Sequence, residues 1–118
     1  MLLRVRDESP AGRNLGEVAF DVPDAISLRD LIKVRVREEV AKHNAAPTRT
    51  FRGLVQPDGP SKRRLDWEKQ AEVALRAFSK GGFFVIVGNR QIEDLDAQLN
   101  LSEASDVAFV RLVPLVGG

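Results

Sequence analysis

The sequence contains no cysteine and only one histidine, one methionine and one tryptophan. Without cysteine there is no disulfide, no thiolate metal site and no cysteine nucleophile, a composition that suits a reducing compartment. With His43 as the sole histidine, a multi-histidine metal centre is excluded, and a Ser-His-Asp triad lacks recognisable partners for it. Its place at the end of a helical pattern fits a contact with the helix dipole instead. An excess of one charge is also missing. Eighteen Lys and Arg against 17 Asp and Glu leave a formal charge of +1, so no global field draws nucleic acid or an anionic membrane. No stretch approaches the roughly 18 consecutive apolar residues of a membrane-spanning helix. The start, Met1-Leu2-Leu3-Arg4-Val5-Arg6-Asp7, reaches charge too soon for the apolar core of a signal peptide. The expectation is a cytoplasmic chain of 118 residues forming one domain, 43% hydrophobic and 30% charged.

What is present is a clear alternation of periods. Leu3 and Val5 alternate with Arg4 and Arg6, as in a half-buried strand. Val18, Phe20 and Val22 alternate likewise with Glu17, Ala19 and Asp21, and the turn-rich Ser9-Pro10-Ala11-Gly12-Arg13-Asn14 separates the two runs. A hairpin with a long loop is predicted. Ser27 and Asp30 then have capping-box spacing, with Ile26 and Leu31 at the staple positions. A helix follows to about His43, its apolar stripe made by Leu28, Leu31, Ile32, Val36 and Val40, with Arg29, Lys33, Arg37 and Glu38 facing water.

From Asn44 to Arg64, Pro47, Pro57, Pro60, Gly53 and Gly59 interrupt a segment without sustained period, which reads as an exposed, partly mobile insertion. Asp66 is a plausible N-cap for a second helix with Trp67, Ala71, Ala74, Leu75 and Phe78 on one face and Gly81-Gly82 as its stop. Phe83 to Val87 is a short apolar run, expected to be a central strand covered on both faces. Gly88-Asn89 reads as a two-residue turn into the short strand Arg90-Gln91-Ile92. A polar stretch leads to the last long strand, Val107 to Leu112. This order predicts an α+β fold: a mixed sheet with its first and last long strands side by side and helices across one face.

This element order, followed by a terminal Pro114-Leu115-Val116-Gly117-Gly118, resembles the β-grasp fold of ubiquitin and the small sulfur carriers. Asp106-Val107-Ala108-Phe109 and the diglycine are similar to the carrier subunit of molybdopterin synthase and, more loosely, to the thiamine sulfur carrier. The resemblance covers residues 1–43 and 83–118. It implies a single β-grasp domain over 1–112, with an insertion at about 44–80 that the smallest family members lack, and a flexible diglycine tail over 113–118. The tail beyond Phe109 is longer than in the carrier subunit. Both departures fit another branch, such as a bacterial conjugation system with its own activating enzyme.

The resemblance further implies that the chain is a substrate of catalysis and not an enzyme. Gly118 would be adenylated by a ubiquitin-activating-type partner that consumes ATP, while the chain binds no cofactor or metal itself. As a modifier, it would pass through an enzyme thioester, with or without a separate conjugating enzyme, to a target lysine. As a sulfur carrier, it would end in a thiocarboxylate. A third reading is a noncovalent β-grasp adaptor. Physical chemistry supports the tail reading: glycine lets the chain lie extended in a narrow channel and leaves its terminal carbonyl unshielded, and Pro114 stiffens the approach and cannot donate to a sheet.

Along the last strand, Val107 and Phe109 should face the core, leaving Ala108, Val110 and Leu112 as an apolar stripe on the other face where an activating enzyme could dock. The competing expectation is that the insertion folds over this stripe. Asp94 and Asp96, like Asp7 and Glu8, read as solvated carboxylates. Arg49, Arg52, Lys62, Arg63 and Arg64, with Phe51, make the insertion locally basic, but the overall balance favours a solvated loop over a nucleic-acid surface. Gly53, Gly59 and Gly88 match no phosphate-cradling spacing.

Overall fold

A computed structural model describes residues 1–45, 53–55 and 64–112. The alternating runs at the start form strands β1 (Leu2–Glu8) and β2 (Asn14–Asp21), paired as an antiparallel hairpin. A short strand β3 (Ala25–Ser27) leads directly into helix α1 (Leu28–Ala45). Ser27 caps that helix: its Oγ accepts from the Asp30 amide at 3.1 Å, satisfying one of the donors a helix start leaves unpaired. Helix α2 (Trp67–Ser79) is capped by the Asp66 carboxylate, which accepts from the Glu68 amide. Its far end closes as a Schellman motif, with Gly82 N–H donating to Ala77 O and Gly81 N–H to Phe78 O. Gly81 takes the left-handed φ of +76° that this closure requires.

Strands β4 (Phe83–Val87) and β5 (Arg90–Ile92) follow, joined at Gly88-Asn89. Gly88 has φ +65° while Asn89 does not enter the left-handed region, the pattern of a II′ turn. Strand β6 (Gln98–Asn100) and strand β7 (Val107–Arg111) complete the fold. The five-stranded sheet has the order β2-β1-β7-β4-β5. Its pairs are antiparallel except β1 with β7, which run parallel. The first and last long strands therefore lie side by side, as the element order predicts, in a mixed α+β sheet.

The register sorts side chains by face. Leu3, Val5, Phe20, Phe83, Val85, Val107 and Phe109 share the face that the two helices cover, and they form one cluster with the α1 stripe of Leu28, Leu31, Ile32, Val36 and Val40. Ala71 and Ala74 of α2 join the same cluster. Phe83 sits edge-on to Phe78 of α2 and stacks on Phe109, with centroids 5.6 and 5.9 Å apart.

Three expectations are corrected. Phe83 to Val87 is an interior strand, paired with β7 and β5, but it is not covered on both faces: its outer side chains Phe84 and Ile86 are only half-buried. The segments after Asp21 and before Asp106 are more than stops and polar linkers: β3 and β6 pair as a second, two-stranded sheet that buries Ile26 and Leu99. Three residues have too short a period to register as a strand in sequence. Finally, part of the presumed exposed insertion is core. Leu54 and Val55 are 1% and 2% exposed. Leu54 N–H donates to Glu39 Oε1 at 3.1 Å, and Gln70 Nε2 donates to Val55 O at 2.8 Å. Residues 46–52 and 56–63, including Arg49, Phe51, Arg52, Lys62 and Arg63, lie outside the described residues.

Leu54→Ala is therefore expected to lower the unfolding free energy by about 2–5 kcal/mol, the range for emptying a closed core site. Urea denaturation measures it; a change within about 0.5 kcal/mol, the scale of a solvated loop position, would contradict this packing.

Candidate functional site

The candidate site is the point where β7 ends and the chain leaves the sheet. Alternation carries charged residues into the core there. On β1 the inward series is Leu3, Val5, Asp7; on β7 it is Val107, Phe109, Arg111. Because the two strands are parallel and Asp7 is in register with Phe109, both series deliver their charge to the same end of the sheet. A register shift at Asp7/Glu8 interrupts the β1–β2 ladder beside it, opposite Gly16 with φ +140°, a bulge that re-aims local side chains.

Helix α1 supplies the counterpart. Arg35 lies one heptad after Leu28, on the buried stripe, and is 1% exposed. Its Nη1 and Nη2 donate to the two Asp7 carboxylate oxygens at 2.6 and 2.7 Å, a bidentate fork. The same guanidinium lies 4.7 Å from the Phe109 ring centroid and reaches Glu39 Oε2 at 3.4 Å. Arg111 Nη2 donates to Asp7 Oδ2 at 2.9 Å. Two cations and two carboxylates thus join α1, β1 and β7. Burial opposes the Arg35 charge, yet the hydrogen bond with Asp7 and the attraction of Glu39 and Asp7 outweigh it, so its pKa rises. Burial pushes the Glu39 carboxyl above its usual range, and Arg35 and the Leu54 amide only partly oppose this.

The backbone is held as well. Leu112 N–H donates to Gly82 O at 3.1 Å, just beyond the pair Phe83 with Arg111. Beside Leu112 opens a cleft of about 300 Å³, walled by Phe78, Phe83, Phe84, Gln91 and Glu93. At the other end of β7, Arg6 forms an ion pair with Asp106, and its Nε donates to Glu8 at 2.9 Å.

The residues expected to form an apolar docking stripe are only partly placed to do so. Ala108 and Val110 do lie opposite the helix-covered face, but they are 3% and 4% exposed. In the middle strand, longer side chains flank them in register: Arg6 and Glu8 on β1, Ile86 and Phe84 on β4. Leu112, 38% exposed, is the member left accessible. Pro114, Leu115, Val116, Gly117 and Gly118 lie outside the described residues.

Asp7 is likewise corrected: it is a buried ion-pair partner and not a solvated carboxylate. The signal for it was present, since Asp7 continues the Leu3, Val5 alternation and Arg35, Glu39 and His43 fall on the α1 stripe. Among the described residues, no group of three or more His, Asp or Glu is placed to hold a metal ion. No described helix is long and apolar enough to cross a membrane. The chain matches no protein-family model, no curated protein and no solved structure.

Removing one partner of a buried bidentate pair strands the other charge, so Asp7→Asn is expected to cost about 3–5 kcal/mol. Glu103→Gln, at an exposed position, should stay within about 0.5 kcal/mol. Denaturant midpoints compare the two, and equal effects would contradict the buried network.

Proposed function

We propose that this chain is a ubiquitin-like β-grasp protein modifier that is activated at the carboxylate of Gly118. The observation that carries the reading is the sheet order β2-β1-β7-β4-β5, with parallel β1 and β7 and α1 across one face. It supports the fold implied by the element order, and it ends the last strand inside the sheet, next to the residues Val113-Pro114-Leu115-Val116-Gly117-Gly118. A strand held on both sides, with Arg111 tied to Asp7 and the Leu112 amide to Gly82, gives a partner enzyme a fixed origin from which to engage that segment.

The chemistry asked of Gly118 is acyl transfer. Its carboxylate attacks the α-phosphorus of ATP and releases pyrophosphate. The thiolate of the activating enzyme then displaces AMP, and a target lysine amine displaces the thiolate to form an isopeptide bond. Adenylation replaces a poor leaving group with a good one, and the thioester that follows keeps the acyl group activated until the amine attacks. Leu112 and the cleft beside it supply an accessible apolar contact for the activating enzyme, in place of the wider stripe expected from sequence. The core position of Leu54 and Val55 anchors this part of the insertion to the folded body, a feature suited to recognition by enzyme or target.

The test is mass spectrometry of the N-terminally tagged protein purified from its native host, intact and after trypsin. Cleavage after Arg111 is expected to leave Leu112 to Gly118 attached to lysines of other proteins. An intact terminus with one oxygen replaced by sulfur would overturn the modifier reading in favour of a sulfur carrier. An unmodified terminus, together with cellular function retained after deletion of Gly117 and Gly118, would leave a noncovalent adaptor.

A further inference from the structure

Helix α1 has a second face, opposite its buried stripe, that is only partly covered. Asp30, Lys33, Val34, Arg37, Ala41 and Asn44 recur at three- and four-residue spacing, so they line one side of the helix. Two adjoining clefts run along it, of about 440 and 400 Å³, and both are walled by Arg37 and Trp67. The first reaches β3, with Ile26 and Val34 in its apolar lining. The second reaches Asn44 and Arg64. Over the fourteen residue steps from Asp30 to Asn44 the helix advances about 21 Å, which matches roughly six residues of extended peptide at ~3.3 Å each.

The charge along this groove is one-sided. Lys33, Arg37 and Arg64 line it against one carboxylate among the described residues, that of Asp30, and Asp30 sits in the first turn of α1, where it complements the helix dipole. Among the described residues none of the three cations forms an ion pair. Arg64 is oriented by donating from Nη1 to Asn44 O at 3.1 Å. The Arg37 guanidinium carbon lies 6.0 Å from the Trp67 ring centroid, which fixes a cation over an indole that is itself only half-buried. This differs from the buried cluster at the end of β7, where each arginine already has a carboxylate.

We infer that this groove is a docking site for an extended acidic segment of a partner protein, with carboxylates on Lys33, Arg37 and Arg64 and an apolar side chain against Trp67 and Val34. Nucleic acid also pairs cations with an aromatic face, but it selects for a broad basic field. A chain of net charge +1 with Asp30 in the groove fits short, mixed acidic and apolar peptide better. The inference stands apart from the chemistry of Gly118.

Trp67 is the only tryptophan of the chain, so tryptophan emission comes from a side chain that walls this groove. The test is selection of a random seven-residue peptide display library on the full-length protein, with Arg37→Glu protein as a parallel target and circular dichroism to confirm its fold. The enriched peptides are expected to carry at least two Asp or Glu around an apolar residue. A synthetic copy should shift Trp67 emission saturably, and Arg37→Glu and Lys33→Glu should each weaken it at least tenfold. If charge reversal at residue 37 disturbs folding, Arg37→Gln is used with a threefold or greater loss expected. Enriched peptides without acidic bias, or equal binding to the folded variants, would overturn the inference. Tighter binding of an eight-nucleotide oligothymidylate than of any peptide would reassign the groove to nucleic acid.

Discussion

The Asp7 carboxylate, held between Arg35 and Arg111 inside the core, is the contact on which the rest of the architecture turns. It joins three elements that are distant in sequence, and its geometry admits one arrangement of them. A buried pair of this kind contributes little net stability over an apolar replacement, because desolvation offsets the attraction. Its effect is selective. Slipping β1 by one residue would send Asp7 to the outer face and turn Arg6 or Glu8 toward α1, leaving Arg35 without its partner and placing a second misfitted charge in the core. The surrounding apolar side chains would tolerate small shifts far better than this fork does.

The same constraint organises both surfaces of interest. By tying Arg111 to β1 and α1, it sets where β7 ends and where Leu112 and the residues after it begin. By turning the Arg35 and Glu39 side of α1 into the core, it leaves the Lys33, Arg37 and Asn44 side facing the grooves beside Trp67. The cleft beside Leu112 and the grooves beside Trp67 thus share no lining residue and lie on separate parts of the described fold. The proposed modifier role would call for both a reactive end and a surface by which partners tell the chain from its relatives, and specificity between similar partners commonly rests on such charge patterns.

Much of this frame is legible in the residues themselves. Two-residue alternation marks β1, β2 and β7, the Ser27 and Asp66 caps mark both helices, and Gly88-Asn89 marks the β4–β5 turn. What escapes is governed by tertiary context. Strands β3 and β6 are three residues each and exist because they pair with one another. Leu54 and Val55 sit among turn-forming residues, and it is tertiary contact, apolar packing in the core with the Glu39 and Gln70 hydrogen bonds, that draws them inward. Ala108 and Val110 alternate as expected, yet flanking long side chains in the middle of the sheet cover them. The candidate site was half visible: Asp7, Arg35 and Arg111 each occupy a core-facing position of a recognisable pattern, but only the parallel pairing of β1 with β7 shows that the three meet.

The central claim is that this charge cluster fixes the end of the last strand, and amide hydrogen exchange at Leu112 tests it most directly. The Leu112 N–H is bonded to Gly82 O, so in the unaltered protein it should exchange far more slowly than an unstructured amide. In Arg111→Gln, which removes the tie to Asp7, protection at Leu112 should fall at least tenfold while Val5 and Val85 amides keep theirs. Rapid exchange at Leu112 in the unaltered protein, or full protection in the variant, would contradict the account.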